Sequence, residues 1–259
     1  MSKYLVRQIL VVVAVVGTIT VNVLANALPI NGMTTGDISD SFDVLFVPAG
    51  YVFSIWGLIY LGLAAYAVYQ ALPSQRDNER LRSIDYPFLL SSIANIAWIF
   101  LWHYERFPLT IAAMLVLLVS LIIIYLRLDI GRGYVRAVER WLVDVPFSIY
   151  LGWITVATIA NITTVLDFVS WNGWGLSDEA WFVIMLAVAI LVAVLMTIVR
   201  ADVAYLLVLA WAFAGIGVKH ADNSLVVTTS WIATVIVLGL VVFSIVRRWK
   251  TTKAVPVAV

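Results

Sequence analysis

Residues Pro48–Tyr60 read PAGYVFSIWGLIY and open an apolar run of about twenty residues that carries almost no charge. A proline and a glycine stand at the mouth of that run. Phe53, Trp56 and Tyr60 follow at three- and four-residue spacing. Residues so spaced share one face of a helix. Such a face either lines a flat-walled pocket or packs against neighbouring helices, and the periodicity alone leaves both readings open.

Composition says what surrounds this helix. Mean hydropathy is +1.03. Hydrophobic residues make up 63% of the 259 positions and charged ones 12%, against about a quarter charged in a soluble domain. A chain this poor in polar groups cannot cover its own surface, so its solvent is lipid. Cysteine is absent, which excludes disulfides and thiolate metal sites. A net charge of +1 gives no sign of nucleic-acid binding.

A hydrocarbon layer about 30 Å thick needs about 20 apolar residues per helix. Eight runs meet or approach that length: Ile9–Leu28, Tyr51–Leu72, Pro87–Trp102, Leu109–Leu126, Val145–Leu166, Ala180–Val199, Val203–Val218 and Leu225–Val246. Long unbroken runs without period-two alternation predict helices rather than a barrel. The expected fold is therefore all-α, a polytopic membrane helix bundle. With eight spans, fourteen of the sixteen Lys and Arg fall on one side, leaving Arg106 and Lys219 on the other. The positive-inside rule then puts both termini in the cytoplasm. Lys3, Arg7 and Ala25-Asn26-Ala27 also resemble a cleavable signal. The apolar run is long for one, and Asn22 and Asn26 share a face suited to helix–helix hydrogen bonds, which favours a retained helix. The loop 31–46 is polar and acidic, and the loop 167–179 holds Trp171 and Trp174; both are expected outside.

Most of the eleven tryptophans have a plain explanation. Trp102, Trp171, Trp174, Trp181 and Trp231 fall near the outer interface and Trp141 and Trp249 near the inner one, as an aromatic belt requires. Trp56, Trp98, Trp153 and Trp211 lie deeper, where an indole N–H needs a partner. Trp153, Ala157 and Asn161 stack along one side of the fifth span, and Asn95, Trp98 and Trp102 along one side of the third. Trp56, Asn95 and Asn161 fall in the outer half of their spans and Trp153 nearer the middle, a convergence in depth that one cavity requires but that does not by itself establish one. Asn95 and Asn161 either contact a ligand there or join helices.

Some chemistry is missing. No Asp, Glu, Lys or Arg lies near the middle of a span, which argues against a proton relay, an ion pathway or a voltage sensor. The two histidines, His103 and His220, sit near the outer surface at helix ends. No metal-ligand cluster and no acid–base or nucleophile set stands out, so catalysis is not the leading reading. The basic run 127–140 reads as a topology signal in reach of anionic lipid headgroups.

The second span closely resembles the motif of the TspO/MBR family, the tryptophan-rich sensory proteins related to the mitochondrial translocator protein (the peripheral benzodiazepine receptor). The family pattern is close to PPGWVF followed by a tryptophan and a tyrosine. Here it is Pro48, Ala49, Gly50, Tyr51, Val52 and Phe53, then Trp56 and Tyr60. Asn95-Ile96-Ala97-Trp98 resembles the family's Asn-x-x-Trp, and Pro146, Trp153, Ala157 and Asn161 resemble the series in its fifth helix. Tyr51 replaces a tryptophan and Ala49 a proline. Leu101 stands where many members have phenylalanine. The resemblance covers about Ile9–Leu166 and implies a five-helix bundle over 1–170. Three further helices and a basic tail follow over 171–259, as in a longer subgroup of these proteins. It also implies a dimer in many members and a pocket for porphyrins, sterols or drug-like molecules, lined here by Trp56, Asn95, Trp98, Trp153 and Ala157.

The expected function is thus an integral membrane protein of a bacterial or archaeal plasma membrane. It would bind a flat hydrophobic ligand, a porphyrin or haem-like tetrapyrrole, and act as sensor, carrier or scavenger. A transporter of such ligands and a porphyrin-degrading enzyme are the alternatives. No cofactor is required, membrane lipids are partners, and a homodimer is one assembly that the resemblance allows. Phe53, Trp56, Tyr60, Asn95, Trp98, Trp153, Ala157 and Asn161 are the expected ligand-binding residues.

Overall fold

The computed structural model describes residues 3–133 and 135–253. Each of the eight predicted spans has its own helix, and no strand occurs among the described residues. In chain order the helices are α1 (Lys3–Ala27), a short α2 (Thr35–Asp40), α3 (Ile55–Ala71), α4 (Asp85–His103), α5 (Phe107–Arg127), α6 (Val145–Phe168), α7 (Asp178–Arg200), α8 (Val203–Lys219) and α9 (Ser224–Lys253). Hydrocarbon cannot hydrogen-bond the backbone, so each apolar run closes its own helical bonds. Among the described residues six helical segments are long and apolar enough to cross a bilayer by length and composition. α8 is apolar but shorter, and α4 is made more polar by Ser91, Ser92 and Asn95.

Polar residues and a proline set the helix ends. Pro108 occupies the first turn of α5, where the missing N–H is not needed. Ser177 caps α7 by accepting from Ala180 N–H. Ala201 then turns left-handed at φ 50°, and the very next residue, Asp202, caps α8 through Ala204 and Tyr205 N–H.

Helices α1, α3, α6, α5 and α4 form a closed ring, each touching the next in that order. α6 is also the platform for the C-terminal helices. α8 packs against it and is held from behind by α7 and α9. The ring and the added helices share one continuous core, from Val11 in α1 to Val241 in α9.

Apart from Arg106, the arginines among the described residues gather at one end of the bundle, with both ends of the described chain. Many are not simply solvated. Arg7 Nε lies 3.1 Å from Asp85 Oδ2. Arg80 reaches Glu139 at 2.6 Å and buried Asp144 at 2.5 Å, and also donates to Leu128 O. Arg200 pairs with Asp129 at 2.6 Å. Part of the basic excess that sets topology is thus consumed in pinning the connections at this end, because a carboxylate near hydrocarbon needs its counter-charge. At the opposite end Lys219 Nζ holds Asp40 Oδ1 at 2.6 Å, tying α8 to α2.

Candidate functional site

The aromatic motif residues meet in the half of the ring away from the arginines. Pro48 leads into a 3₁₀ turn, Gly50–Ser54, which runs directly into α3. That turn aims Phe53 inward, so its ring meets the edge of Trp153 at 5.6 Å. Trp56, one turn on, stacks on Tyr60 at 5.6 Å and meets Tyr150 and Trp153 edge-on. On α4, Trp98 stacks on Trp102 at 5.2 Å. Its indole N–H donates to Asn161 Oδ1 of α6 at 2.6 Å. The Asn161 amide donates in turn to Thr110 of α5 at 2.7 Å.

These groups enclose a cavity of about 50 Å³. Phe53, Trp56, Trp98, Trp153, Ala157 and Asn161 line it. Tyr60 and Asn95 do not. Tyr60 supports Trp56 from behind, and Asn95 joins three helices by donating to Tyr150 OH at 3.1 Å and accepting from Asn22 at 2.6 Å. Of the two readings open for the asparagines, Asn95 is a helix joint. Asn161 joins helices and faces the cavity as well.

One donor in the cavity wall is unsatisfied. Trp153 is 2% exposed, and its indole N–H finds no acceptor among the described residues. A buried donor left in this state costs about 1–3 kcal/mol.

The roof comes from the segment between α1 and α3. Thr35 and Ser39 of α2, with Val47 and Pro48, close the outer side of the cavity. Thr34 and Asp37 form a reciprocal cap that nucleates α2, and the two hydrogen bonds from Thr34 hold the Asp37 carboxyl below its ordinary pKa. The lid is fastened to the end of α4. His103 Nε2 lies 3.0 Å from Thr35 Oγ1 and its Nδ1 3.0 Å from Ile30 O. Asn31 donates to His103 O, and Trp102 Nε1 donates to Thr35 O at 3.2 Å. Trp102 and His103, read from the sequence as outer-interface residues, are 3% and 1% exposed, because the loop folds back over them. The Thr34-x-x-Asp37 cap was a legible signal for this helix. The fold-back was not.

The C-terminal helices brace the same turn from outside. Ala49 N–H donates to Gly215 O at 3.1 Å, and Trp211 Nε1 donates to Val52 O at 3.2 Å. A Cβ on Gly215 would fall within 3.0 Å of Val52 Cγ2, so α8 approaches the motif as closely as a glycine permits.

A family model for TSPO-like proteins matches residues 8–243. The chain belongs to this TSPO-like family. No curated protein and no solved structure matches it. The family assignment and the apolar helices make it an integral membrane protein. The match runs from α1 well into α9, so the family pattern takes in the last three helices, beyond the five spans that carry the TspO/MBR resemblance in the sequence. Their docking through Gly215 and Trp211 onto the motif turn gives that continuity a physical basis.

Proposed function

We propose that this TSPO-like protein binds a flat hydrophobic molecule of the tetrapyrrole class in the cavity under α2, as a membrane sensor, carrier or scavenger. The observation that carries this reading is the buried, unpartnered indole N–H of Trp153 in a wall otherwise built of aromatic rings. Rings offer stacking area, and a fixed donor offers orientation, the usual division of labour in ligand pockets.

A volume of about 50 Å³ is far below the ~300–1,000 Å³ of small-molecule sites. Binding therefore selects a conformation in which α2 lifts and the Trp56 and Trp98 rings part. The lid is suited to this. It is six residues long and is held to α4 by a few polar contacts. Both nitrogens of His103 are engaged, so the ligand is held by stacking and hydrogen bonding, not by a histidine on a bound metal. Among the described residues no group of His and carboxylates could hold an ion. We place the arginine-rich end in the cytoplasm, following the positive-inside rule.

Protoporphyrin IX titration, followed by Soret absorbance and tryptophan quenching, tests the reading. Binding is expected in the wild type. Trp153→Phe keeps an aromatic ring but loses the donor and should weaken binding about tenfold, the equivalent of one hydrogen bond. Unchanged affinity after Trp56→Ala and Trp153→Ala together would overturn the site. Flux in proteoliposomes would move the assignment from carrier to transporter, and product formation abolished by Trp153→Phe with binding retained would move it to a degradative enzyme.

A further inference from the structure

A second and much wider recess lies elsewhere. α3 and α8 both pack on α6, and α8 touches the 3₁₀ turn just ahead of α3, where Trp211 donates to Val52 O and its ring meets Tyr51 at 5.3 Å. Below that junction they leave a groove of about 1390 Å³, more than ordinary small-molecule pockets contain. Pro146 and Ile149 of α6 form its floor, Leu58 and Leu61 of α3 one wall, and Leu207 of α8 the other. Leu58, Leu61 and Leu207 are 52%, 68% and 47% exposed. At mid-span depth such a recess opens sideways to hydrocarbon.

The end of the groove at the arginine-rich face has a different character. Arg132, Arg140 and Arg248 line it there, beside Trp141. The carboxylates at the same end are already satisfied. Asp144 is held by Arg80. Asp202 accepts from Tyr125 OH at 2.7 Å, from Ser148 Oγ at 2.6 Å and from two backbone N–H groups. The loop carrying Arg132 is fixed by Arg200, which binds Asp129 and Ile130 O. Gly131, at φ +87°, lies so close to Arg200 O that no Cβ fits. The rim is thus positively charged and preorganised at one end of an apolar trough.

We propose that this groove is a binding site for one anionic phospholipid. Its acyl chains lie along Leu58, Leu61 and Leu207, and its phosphate sits against Arg132 and Arg140. Charge complementarity selects the headgroup, as arginine clusters at the membrane surface do, and the trough selects the chains. The lipid fills the space between ring and C-terminal helices, so it would join the two. This site is separate from the aromatic cavity and stands or falls independently of it.

The test uses the full chain, delipidated in detergent and titrated with phosphatidylglycerol or phosphatidylcholine of matched chains. Native mass spectrometry counts bound lipid, and a thermal melt reads its effect. The wild type should retain one phosphatidylglycerol about tenfold more tightly than phosphatidylcholine, with a raised melting midpoint. Arg132→Gln/Arg140→Gln should abolish the preference, and Arg132→Lys/Arg140→Lys should largely restore it. Leu61→Trp, at an exposed groove position, should block both lipids. Arg127→Gln/Arg136→Gln removes as much charge outside the groove and should leave the preference intact. Equal retention of the two lipids by the wild type, or equal loss in both pairs of glutamine variants, would overturn the proposal. Inorganic phosphate should not displace the lipid; displacement by it would show a headgroup site with no role for the trough, and would also overturn the proposal.

Discussion

Replacing Gly215 with alanine tests whether α8 braces the aromatic motif. In an exposed helix interior this change stabilises by about 1 kcal/mol through propensity. Here the new Cβ would fall within 3.0 Å of Val52 Cγ2 and 3.3 Å from Pro48 Cβ. Val52 cannot easily yield. It is fully buried and β-branched, its N–H is bonded to Ala49 O at 2.9 Å, and its carbonyl accepts from Trp211. Overpacking of this kind costs about 1–3 kcal/mol, and separating the helices would also lose the Ala49–Gly215 hydrogen bond, worth about 1 kcal/mol. The net expectation for Gly215→Ala is a loss of about 2 kcal/mol. Val52→Ala alone should lose a similar ~2 kcal/mol, through dispersion contacts and a residual cavity. Together the two should compensate, because the alanine methyl enters the space that Val52 leaves. The expected coupling of about 2–3 kcal/mol lies far outside the ~0.5 kcal/mol scatter of independent sites. Unfolding in detergent, followed by tryptophan fluorescence, measures all four proteins. Pro48 and Phe53 line the cavity, so Gly215→Ala should also weaken protoporphyrin binding, and Val52→Ala should restore it. If Gly215→Ala stabilises the wild type, or if the two effects add, the contact does not brace the motif.

Other consequences follow from the polar contacts at the two ends. Thr35→Val removes the hydroxyl that bonds His103 at 3.0 Å while keeping the shape. The latch should weaken by about 1 kcal/mol, and the association rate of protoporphyrin should rise about fivefold in stopped-flow quenching; an unchanged rate would mean that the lid does not gate entry. Asp202→Ala should cost about 3 kcal/mol or more, since it strips a helix cap and orphans the hydroxyls of Tyr125 and Ser148. Asp202→Asn should cost less, because those hydroxyls can turn to accept from the amide; chemical denaturation giving the reverse order would contradict this account of Asp202. Burial, with the adjacent Lys219 charge, lowers the pKa of His220, and its Nε2 has no partner among the described residues. An unfolded histidine takes up its proton near pH 6.5 whereas the folded one resists. The stability it contributes is complete above that pH and falls on acidification toward the lowered value. Melting midpoints from pH 7.5 to 5.5 should therefore drop further for the wild type than for His220→Gln, and parallel curves would refute the shift.

The helices were legible because their cause is local. Twenty apolar residues in lipid must satisfy their own backbone, and no tertiary contact alters that. The aromatic faces were legible for the same reason: the spacing of Phe53, Trp56 and Tyr60 fixes a helix side whatever that side meets. What each residue meets there was not legible. Asn95 and Asn161 are chemically identical and similarly placed, yet one is absorbed by Asn22 and Tyr150 while the other reaches the cavity. Only the rotation of α1 against α4 decides between them. Trp102 and His103 carry the signature of interface residues, and they become buried because a loop sixty to seventy residues upstream returns over them. The acids among the arginines, Asp85, Asp129, Glu139 and Asp144, each found a partner far away in sequence. A charge count records their presence but cannot show which of them cancel.

The small volume under α2 sets how the proposed site works. In water, an empty apolar cavity is closed by the hydrophobic effect. In a bilayer that force is absent between helices, and association rests on packing and hydrogen bonds. A pocket that stayed open without its ligand would forfeit ring-on-ring contacts and would admit lipid chains. The closed arrangement avoids both, since Trp98 on Trp102 and Trp56 on Tyr60 satisfy the rings with one another. One group gains nothing from closure, the Trp153 N–H. A ligand can supply an acceptor to that donor, while it must replace the stacking it disrupts with stacking of its own. Only a molecule with wide flat faces and a polar atom near its rim satisfies both demands. A bulky aliphatic guest such as a sterol could fill the same volume but would leave the rings without partners. Sterols should accordingly bind more weakly than planar tetrapyrroles in competition with protoporphyrin IX, and a sterol that displaced it at equal concentration would show that ring stacking does not govern the site.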